Sequence, residues 1–208
     1  MEIIKDEFKL RCSDINVFHK HIVDISELKR TIKISSILKS SLFIALYNNV
    51  EATFYSIFER IHYDANKLDY NLLSDNLKIK IKLFYFKSKD IPDENCMQLK
   101  FPLLKDFLKK NTLFSGNLDA RKGKALFRTY GIGFDKNFEI SKLNSLVTIK
   151  NKRNKIAHGE LTLPDAGKST SHQTLRGVID NSNEVLEEFI NCATTFLAAD
   201  GYLSQLGD

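Results

Sequence analysis

The sequence predicts an all-α protein, a helical bundle of three or four long helices with small helices inserted between the second and the third. Proline and glycine are scarce, with 3 and 9 copies in 208 residues, which favours long regular elements over turn-rich β structure. Apolar residues also recur at three- and four-residue steps over long stretches, which is the spacing of one helix face. We therefore expect a single domain, residues 1–208, with one hydrophobic core.

The first two long helices are predicted over residues 3–30 and 36–64, where apolar side chains follow the helical repeat. The second is the clearer of the two, because its apolar positions continue for about eight turns. These positions are Ile37, Ile44, Tyr47, Phe54, Phe58 and Ile61.

Residues 76–87 fit two patterns. Apolar residues alternate with lysines from Ile79 to Leu83, as in a strand, whereas Leu77 and Phe84 also lie on one face of a helix. We predict a helix here, because a lone strand would have no partner for its backbone groups.

Two smaller helices are expected in the next part of the chain. Pro102 is suited to the first turn of a short helix. A second helix is predicted from about Asp119 to a glycine stop at Gly131.

The C-terminal third contains the two remaining long helices. Residues 139–158 have helical spacing and are followed by Gly159, which is typical of a helix end. A polar loop is expected over residues 160–173, and a last helix over 174–200.

The composition leaves two interpretations of the charge. The formal net charge is +5, and lysine is spread over the whole chain. This fits either a solvated, lysine-rich surface or electrostatic attraction to nucleic acid, and the charge alone does not decide between them.

The cysteines and the hydropathy pattern predict a cytoplasmic protein. Cys12, Cys96 and Cys192 are far apart and form no CxxC pair, so we expect reduced core thiols without a disulfide or zinc site. The charged start, MEIIKDEFKL, lacks the apolar centre of a signal peptide. No run reaches the roughly 18 apolar residues that a transmembrane helix needs, so no membrane partner is predicted.

The stretch KRNKIAHGEL, residues 152–161, combines core-type and hydrogen-bonding residues. On a helical wheel, Arg153, Asn154 and His158 fall within an apolar arc of roughly 200°. An arc that wide suits a helix buried on one side by its own bundle and on the other by a partner. The apolar members of the arc are Ile140, Leu143, Leu146, Val147, Ile149, Ile156 and Ala157.

Glu51 lies in the middle of the apolar stripe of residues 36–64. A carboxylate there costs free energy unless it is paired, so we expect Glu51 to be largely buried and bonded to Arg153, His158 or a partner chain. Two structural alternatives stay open. A histidine at a helix end is commonly a partner of the helix dipole, and a buried Arg–Glu pair is commonly structural.

Two segments resemble the HEPN superfamily (higher eukaryotes and prokaryotes nucleotide-binding domains). RNKIAHG, residues 153–159, resembles the RN-x-x-A-H-G form of the Arg-x(4–6)-His motif, and SGNLDARKGKALFRTYGI, residues 115–132, resembles a segment of stand-alone bacterial HEPN-like nucleases of the MAE type. The resemblance implies an up-and-down bundle, usually a homodimer whose two motifs meet at the interface. Many members are metal-independent ribonucleases that act as toxins, in phage defence or in RNA processing.

The motif match assigns expected roles to individual residues. His158 would act as general acid or base, and a dimer would supply one such group from each chain. Arg153 would grip the phosphate, while Asn154 would orient His158 or donate to a phosphate oxygen. Glu51, with less support, would hold Arg153 or fix the histidine tautomer. Attack by the RNA 2′-hydroxyl would leave a 2′,3′-cyclic phosphate.

The predicted partners follow from these roles. RNA and a second copy of the chain are expected, as well as an antitoxin or the product of a neighbouring gene. No cofactor is predicted, and no metal, since His19 and His21 would face different ways on a helix. Three lysines either line the approach for RNA phosphates or are simply solvated: Lys150, Lys152 and Lys155.

Two other functions compete with the nuclease. One is a catalytically silent HEPN module that binds RNA, a nucleotide or a partner protein. The other is a helical adaptor in which Arg153 and Glu51 form a buried structural pair. Intact Arg153 and His158 favour the enzyme, since silent members often lose one of them.

Overall fold

A computed structural model describes residues 1–113, 116–135 and 138–204, and these residues contain eight α-helices, two short 3₁₀ turns and no β-strand. The only strand-like pairing within them is one isolated bridge between Leu73 and Leu203. The predicted all-α class is therefore confirmed. The helices are α1 Glu2–Ser26, α2 Ile32–Asn66, α3 Asp75–Phe86, α4 Leu104–Lys110, α5 Ala120–Thr129, α6 Ile140–Ala157, α7 Leu163–Lys168 and α8 His172–Ala198.

The four long helices α1, α2, α6 and α8 form the bundle. Helix α2 packs against the other three, and α8 also packs against α1 and α6. Four of the six residues of the predicted α2 stripe are buried in the core, namely Tyr47, Phe54, Phe58 and Ile61. The centre of the Phe54 ring lies 4.7 Å from that of Phe189, and the centre of the Phe58 ring lies 4.7 Å from that of Tyr130. The small helices α3, α4 and α5 come between the second and the third long helix, as predicted.

Residues 76–87 form helix α3 and not a strand. Leu77, Ile81 and Phe84 are buried, so the helical spacing of these three residues describes the segment correctly. The helix ends at Lys87, whose φ of 57° lies in the left-handed region. No helix within the described residues is both long enough and apolar enough to cross a bilayer.

The prediction of a polar loop over residues 160–173 is wrong in its middle, where helix α7 forms. Tertiary contacts hold this short helix on the N-terminal half of α2. Gly167 packs so closely that a Cβ atom there would lie 1.8 Å from the carbonyl oxygen of Ser36. Ser40 Oγ also donates to the Leu163 carbonyl at 2.5 Å. Such contacts come from distant residues and leave no trace in the local hydropathy pattern.

The apolar arc of α6 is covered only in part by the rest of the chain. Leu143, Leu146 and Ile149 are buried in the bundle. Ile140 is 76% exposed, and Ala157 is also exposed. The arc is therefore open at both ends of α6 in the single chain.

Candidate active site

The motif residues lie on the last two turns of α6. Arg153 and Asn154 are half-buried within the helix, and His158 is the exposed C-cap residue. Gly159 then adopts a φ of +71°, which glycine tolerates and other residues rarely adopt. Its amide donates to the Ile156 carbonyl at 3.1 Å, so the predicted glycine stop ends the helix.

The guanidinium of Arg153 is held by three groups. Its Cζ atom lies 4.7 Å from the centre of the Tyr47 ring, which is a cation–π contact. Nη1 donates to Asn154 Oδ1 at 3.1 Å and, more weakly, to the Gly116 carbonyl at 3.4 Å. The Arg153 side chain of α6 is thus fixed against helix α2 and the segment before α5.

Hydrogen bonds hold the segment Gly116–Leu118 against the motif and against Tyr47 of α2. Asn154 Nδ2 donates to Asn117 Oδ1 at 2.7 Å, and the Leu118 amide donates to Tyr47 Oη at 3.1 Å. Gly116 has a φ of +69°, and a Cβ atom there would lie 2.9 Å from Arg153 Nη1. A glycine is therefore required both for the turn and for the close approach of the arginine.

Tyr47 stands between Glu51 and Arg153. Its hydroxyl donates to Glu51 Oε1 at 3.0 Å while its ring contacts Arg153. Burial, together with the neighbouring carboxylate of Glu51, raises the pKa of Tyr47 to about 12, so the hydroxyl keeps its proton. Glu51 and Arg153 are thus connected through an uncharged phenol.

The expected contact of Glu51 with Arg153 or His158 is not formed. Glu51 is half-buried, and its carboxylate forms no hydrogen bond or ion pair with either residue, all three of which lie in the described part of the chain. The physical reason is the spacing of α2, since Tyr47 is one helical turn before Glu51 and its hydroxyl reaches the carboxylate first. Contact of Glu51 with a partner chain stays a prediction.

Two of the three expected RNA-binding lysines are engaged within the chain. Lys150 forms an ion pair with Asp119 at 2.7 Å, and both side chains are largely buried. Lys152 donates to the Ala166 carbonyl at 2.8 Å and to Ser169 Oγ at 2.6 Å, which ties α6 to α7. Lys155, in contrast, is exposed beside the motif.

Asp119 anchors the segment before α5 in two ways. It is the N-cap of α5, close to the predicted start of this helix, and accepts from the Lys122 amide at 3.0 Å. Burial opposes its ionisation, but the hydrogen bonds from Lys150 and from the Lys122 amide lower its pKa overall. Asp119 therefore stays charged and keeps Lys150 in place. Ser115, the first residue of the motif-like segment, lies outside the described residues.

His158 is separate from the fixed cluster of Arg153, Asn154, Tyr47 and Glu51. Its side chain is exposed, and no residue in the described ranges forms a hydrogen bond with the ring. The backbone amide of His158 donates to the Asn154 carbonyl at 2.9 Å, which fixes where the side chain leaves the helix. The two expected catalytic groups thus differ in their surroundings, with an arginine held by three contacts and an exposed histidine.

Sequence reasoning missed Tyr47 and Asn117 as parts of the site. Tyr47 was assigned to the apolar stripe of α2, and its position four residues before Glu51 was the signal for the hydrogen bond. Asn117 lies in the segment 115–132, whose relation to the motif could be seen only by resemblance. Among the described residues, no three His, Cys, Asp or Glu side chains are grouped to hold a metal ion.

Comparison with known proteins agrees with this geometry. A family model described as RiboL-PSP-HEPN matches residues 6–197, nearly the whole chain. No significant match was found among curated proteins or among solved structures. The HEPN superfamily, which the motifs led us to expect, is confirmed, and RiboL-PSP-HEPN is the matching family.

Proposed function

Because the chain belongs to the RiboL-PSP-HEPN family of the HEPN superfamily, we propose that it is a metal-independent endoribonuclease that acts as a homodimer. Its biological role would be that of a toxin or a phage-defence effector. The observation that carries the proposal is the fixed guanidinium of Arg153 followed, five residues later at the end of α6, by an exposed His158. This is an arrangement that can bind a phosphate and transfer a proton.

Arg153 is suited to bind the scissile phosphate. Its contacts with Asn154 and Gly116 use Nη1, while Nε and Nη2 form no hydrogen bond with any described residue. These two nitrogens present parallel N–H groups, which match two phosphate oxygens. The guanidinium would offset the charge that develops on the phosphate during attack by the RNA 2′-hydroxyl.

His158 would transfer the proton. Histidine is the side chain that most often acts as a general acid or base near neutral pH, and the exposure of His158 lets substrate reach it. Cleavage needs one group to remove the 2′-hydroxyl proton and another to protonate the 5′-oxygen that leaves. A two-fold dimer with the ends of both α6 helices at the interface would supply both groups. The products would be a 2′,3′-cyclic phosphate and a 5′-hydroxyl.

The other site residues would act mainly by positioning Arg153. Asn154 bonds to both Arg153 and Asn117, which favours a positioning role over direct orientation of His158. Glu51 would act through the Tyr47 hydroxyl. Lys155 is the exposed lysine beside the motif and would contact backbone phosphates of the RNA.

Cleavage of RNA in EDTA tests the proposed function. Wild-type protein should cut RNA and leave 2′,3′-cyclic phosphate ends, whereas His158→Ala should lower the rate by about 10²–10⁴-fold and melt like wild type, because an exposed side chain leaves no cavity. His21→Ala, which removes an exposed histidine from α1, is the matched control and should cut normally. An inactive wild type would leave the non-catalytic binding module as the better interpretation, whereas a fully active His158→Ala would refute the role of His158 in cleavage.

The dimer is tested by charging the exposed part of the apolar arc next to the motif. Ala157 is exposed at the last turn of α6, so Ala157→Asp should convert a dimer into a monomer in light scattering and abolish cleavage. Ile32→Asp alters an isoleucine that is 80% exposed at the start of α2 and should change neither property. A wild type that is monomeric and active at micromolar concentration would refute the composite site.

A further inference from the structure

Most of the net positive charge of the protein lies in one inserted segment. Residues 75–113 contain nine lysines and five acidic residues, a net charge of +4, whereas the whole chain has +5. This segment includes α3 and α4 and none of the residues of the candidate active site. Its charge therefore has no role in the proposed chemistry and needs a separate explanation.

Exposed aromatic rings lie among these lysines. Tyr85 and Phe86, at the end of α3, are 40% and 41% exposed. The Tyr85 hydroxyl donates to the Lys100 carbonyl at 3.2 Å, and its ring meets the buried Phe84 edge-on at 4.8 Å between centres. These contacts hold the Tyr85 ring in one orientation at the surface.

One lysine of α4 contacts this aromatic group, and two lysines follow α3 in the sequence. The Lys110 ammonium lies 4.5 Å from the centre of the Phe84 ring and 5.9 Å from that of Tyr85. Lys87 and Lys89 follow directly after Phe86 and are exposed. Within the described residues, none of these three lysines forms an ion pair with a carboxylate, in contrast to Lys82, which pairs with Asp93 at 2.7 Å. Their charges are thus available to a polyanion.

We propose that this surface, the α3–α4 face formed by Tyr85, Phe86, Lys87, Lys89 and Lys110, binds single-stranded RNA outside the active site. Lysines in this density neutralise backbone phosphates, and exposed aromatic rings stack on bases only when the bases are unpaired. The combination favours a single strand over a duplex. The inference rests on the proposed function only for the choice of RNA as the strand.

Fluorescence anisotropy with a labelled RNA of about 12 nucleotides tests the proposal, since single-strand sites of this kind cover about 4–16 nucleotides. The full chain carries His158→Ala so that binding is measured without cleavage. Replacing Lys87, Lys89 and Lys110 by glutamine should weaken binding and lower the slope of log Kd against log salt by about 2, or about 0.7 for each lost phosphate contact. Phe86→Ala should weaken binding about fivefold or more.

Matched variants separate this face from a general effect of charge. Replacing the exposed Lys20, Lys29 and Lys33 by glutamine removes the same charge from α1, the start of α2 and the turn between them. It should change Kd less than about threefold, because distant charges are screened. Tyr63→Ala removes a ring that is 53% exposed on α2 and is the control for Phe86→Ala. Circular dichroism melting shows that each variant is folded.

Four outcomes would overturn the proposal. The first two are an unchanged affinity and salt slope in the α3–α4 lysine variant, and an equal loss of affinity in the control lysine variant. The other two are equal affinity for the same RNA as a duplex, and tighter binding of the DNA strand of matching sequence. Failure of the proposed function gives a different result, because wild type would then bind the strand through the α3–α4 face without cutting it.

Discussion

Replacing Tyr47 by phenylalanine separates the two functions of this side chain at the site. The hydroxyl accepts from the Leu118 amide and donates to Glu51, whereas the ring lies under the guanidinium of Arg153. Tyr47→Phe removes the hydroxyl and keeps the ring. The variant should therefore loosen the segment before α5 while the cation–π contact with Arg153 remains.

The expected loss of stability follows from the burial of the two partners. Leu118 is 2% exposed, so its amide would be left without an acceptor away from water, at a cost of about 1–3 kcal/mol. Glu51 is only half-buried and can bond to water instead, which adds little. For a chain of this length, a loss of about 2 kcal/mol lowers the melting temperature by about 4–8 °C.

Thermal melting and RNA cleavage assays should give different sizes of effect. Tyr47→Phe should melt lower by that amount and cut RNA about tenfold more slowly, a smaller effect than loss of the proton-transfer group at His158. Tyr55→Phe, which removes an exposed hydroxyl from the same helix, is the control and should behave like wild type. A Tyr47→Phe protein as stable as wild type would refute the idea that the phenol holds the Leu118 segment.

Two further predictions concern the arginine. Gly116→Ala should lower the cleavage rate at least tenfold and cost about 1–2 kcal/mol in thermal unfolding, because the residue has a φ of +69° and its new Cβ would displace Arg153 Nη1. Gly133→Ala is the control, since a Cβ there meets no described atom within 4 Å. Normal activity of Gly116→Ala would contradict the need for a close approach of Arg153 to this turn. Arg153→Lys should keep nearly wild-type stability in urea unfolding, since Glu51 bonds to Tyr47 and is not left without its partner. It should lose most RNA cleavage, because an ammonium cannot donate two parallel hydrogen bonds to a phosphate. An active lysine variant would contradict the role of Arg153 in binding the phosphate.

The parts of the fold that the sequence predicts are those with a long periodic pattern. Helix α2 repeats its apolar positions over many turns, so its stripe is visible in the sequence and is mostly buried in the structure. Helix α7 has six residues, including a proline and a glycine, and is held by Ser36 and Ser40 of α2. A helix that depends on distant small residues cannot be detected from its own spacing.

The site shows the same limit at the level of single contacts. A carboxylate within an apolar stripe indicated that Glu51 must have a partner, and it has one. The sequence offered Arg153 as the obvious cation, but the identity of a partner depends on which side chains approach in three dimensions. The phenol of Tyr47 is near by helical spacing and satisfies the carboxylate without a second charge.

The lysines near the motif illustrate why charge alone predicts little. Lys150 and Lys155 are five residues apart on the same helix and look equivalent in the sequence. In the structure Lys150 is buried against Asp119, and Lys155 faces solvent. The difference arises because Asp119 reaches α6 through the turn at Gly116, a non-local contact.

The last prediction concerns stability in acid and rests on His62, which is fully buried. Its Nδ1 donates to the Pro102 carbonyl at 2.7 Å and its Nε2 accepts from Tyr130 Oη at 2.8 Å, as in a neutral ring. Burial above all, with a contribution from the charge of Lys80, lowers the pKa from 6.5 to about 4. Below pH 6.5 the unfolded chain binds a proton that the folded chain excludes, so the free energy of unfolding should fall by about 3 kcal/mol as the pH drops from 6.5 to 4.

Urea unfolding of His62→Gln should show lower stability near neutral pH but a flatter dependence of the free energy of unfolding on pH over this range. His21→Gln, at an exposed position, should keep the wild-type slope of free energy against pH. Identical slopes for His62→Gln and wild type would mean that His62 is not the group that destabilises the fold in acid.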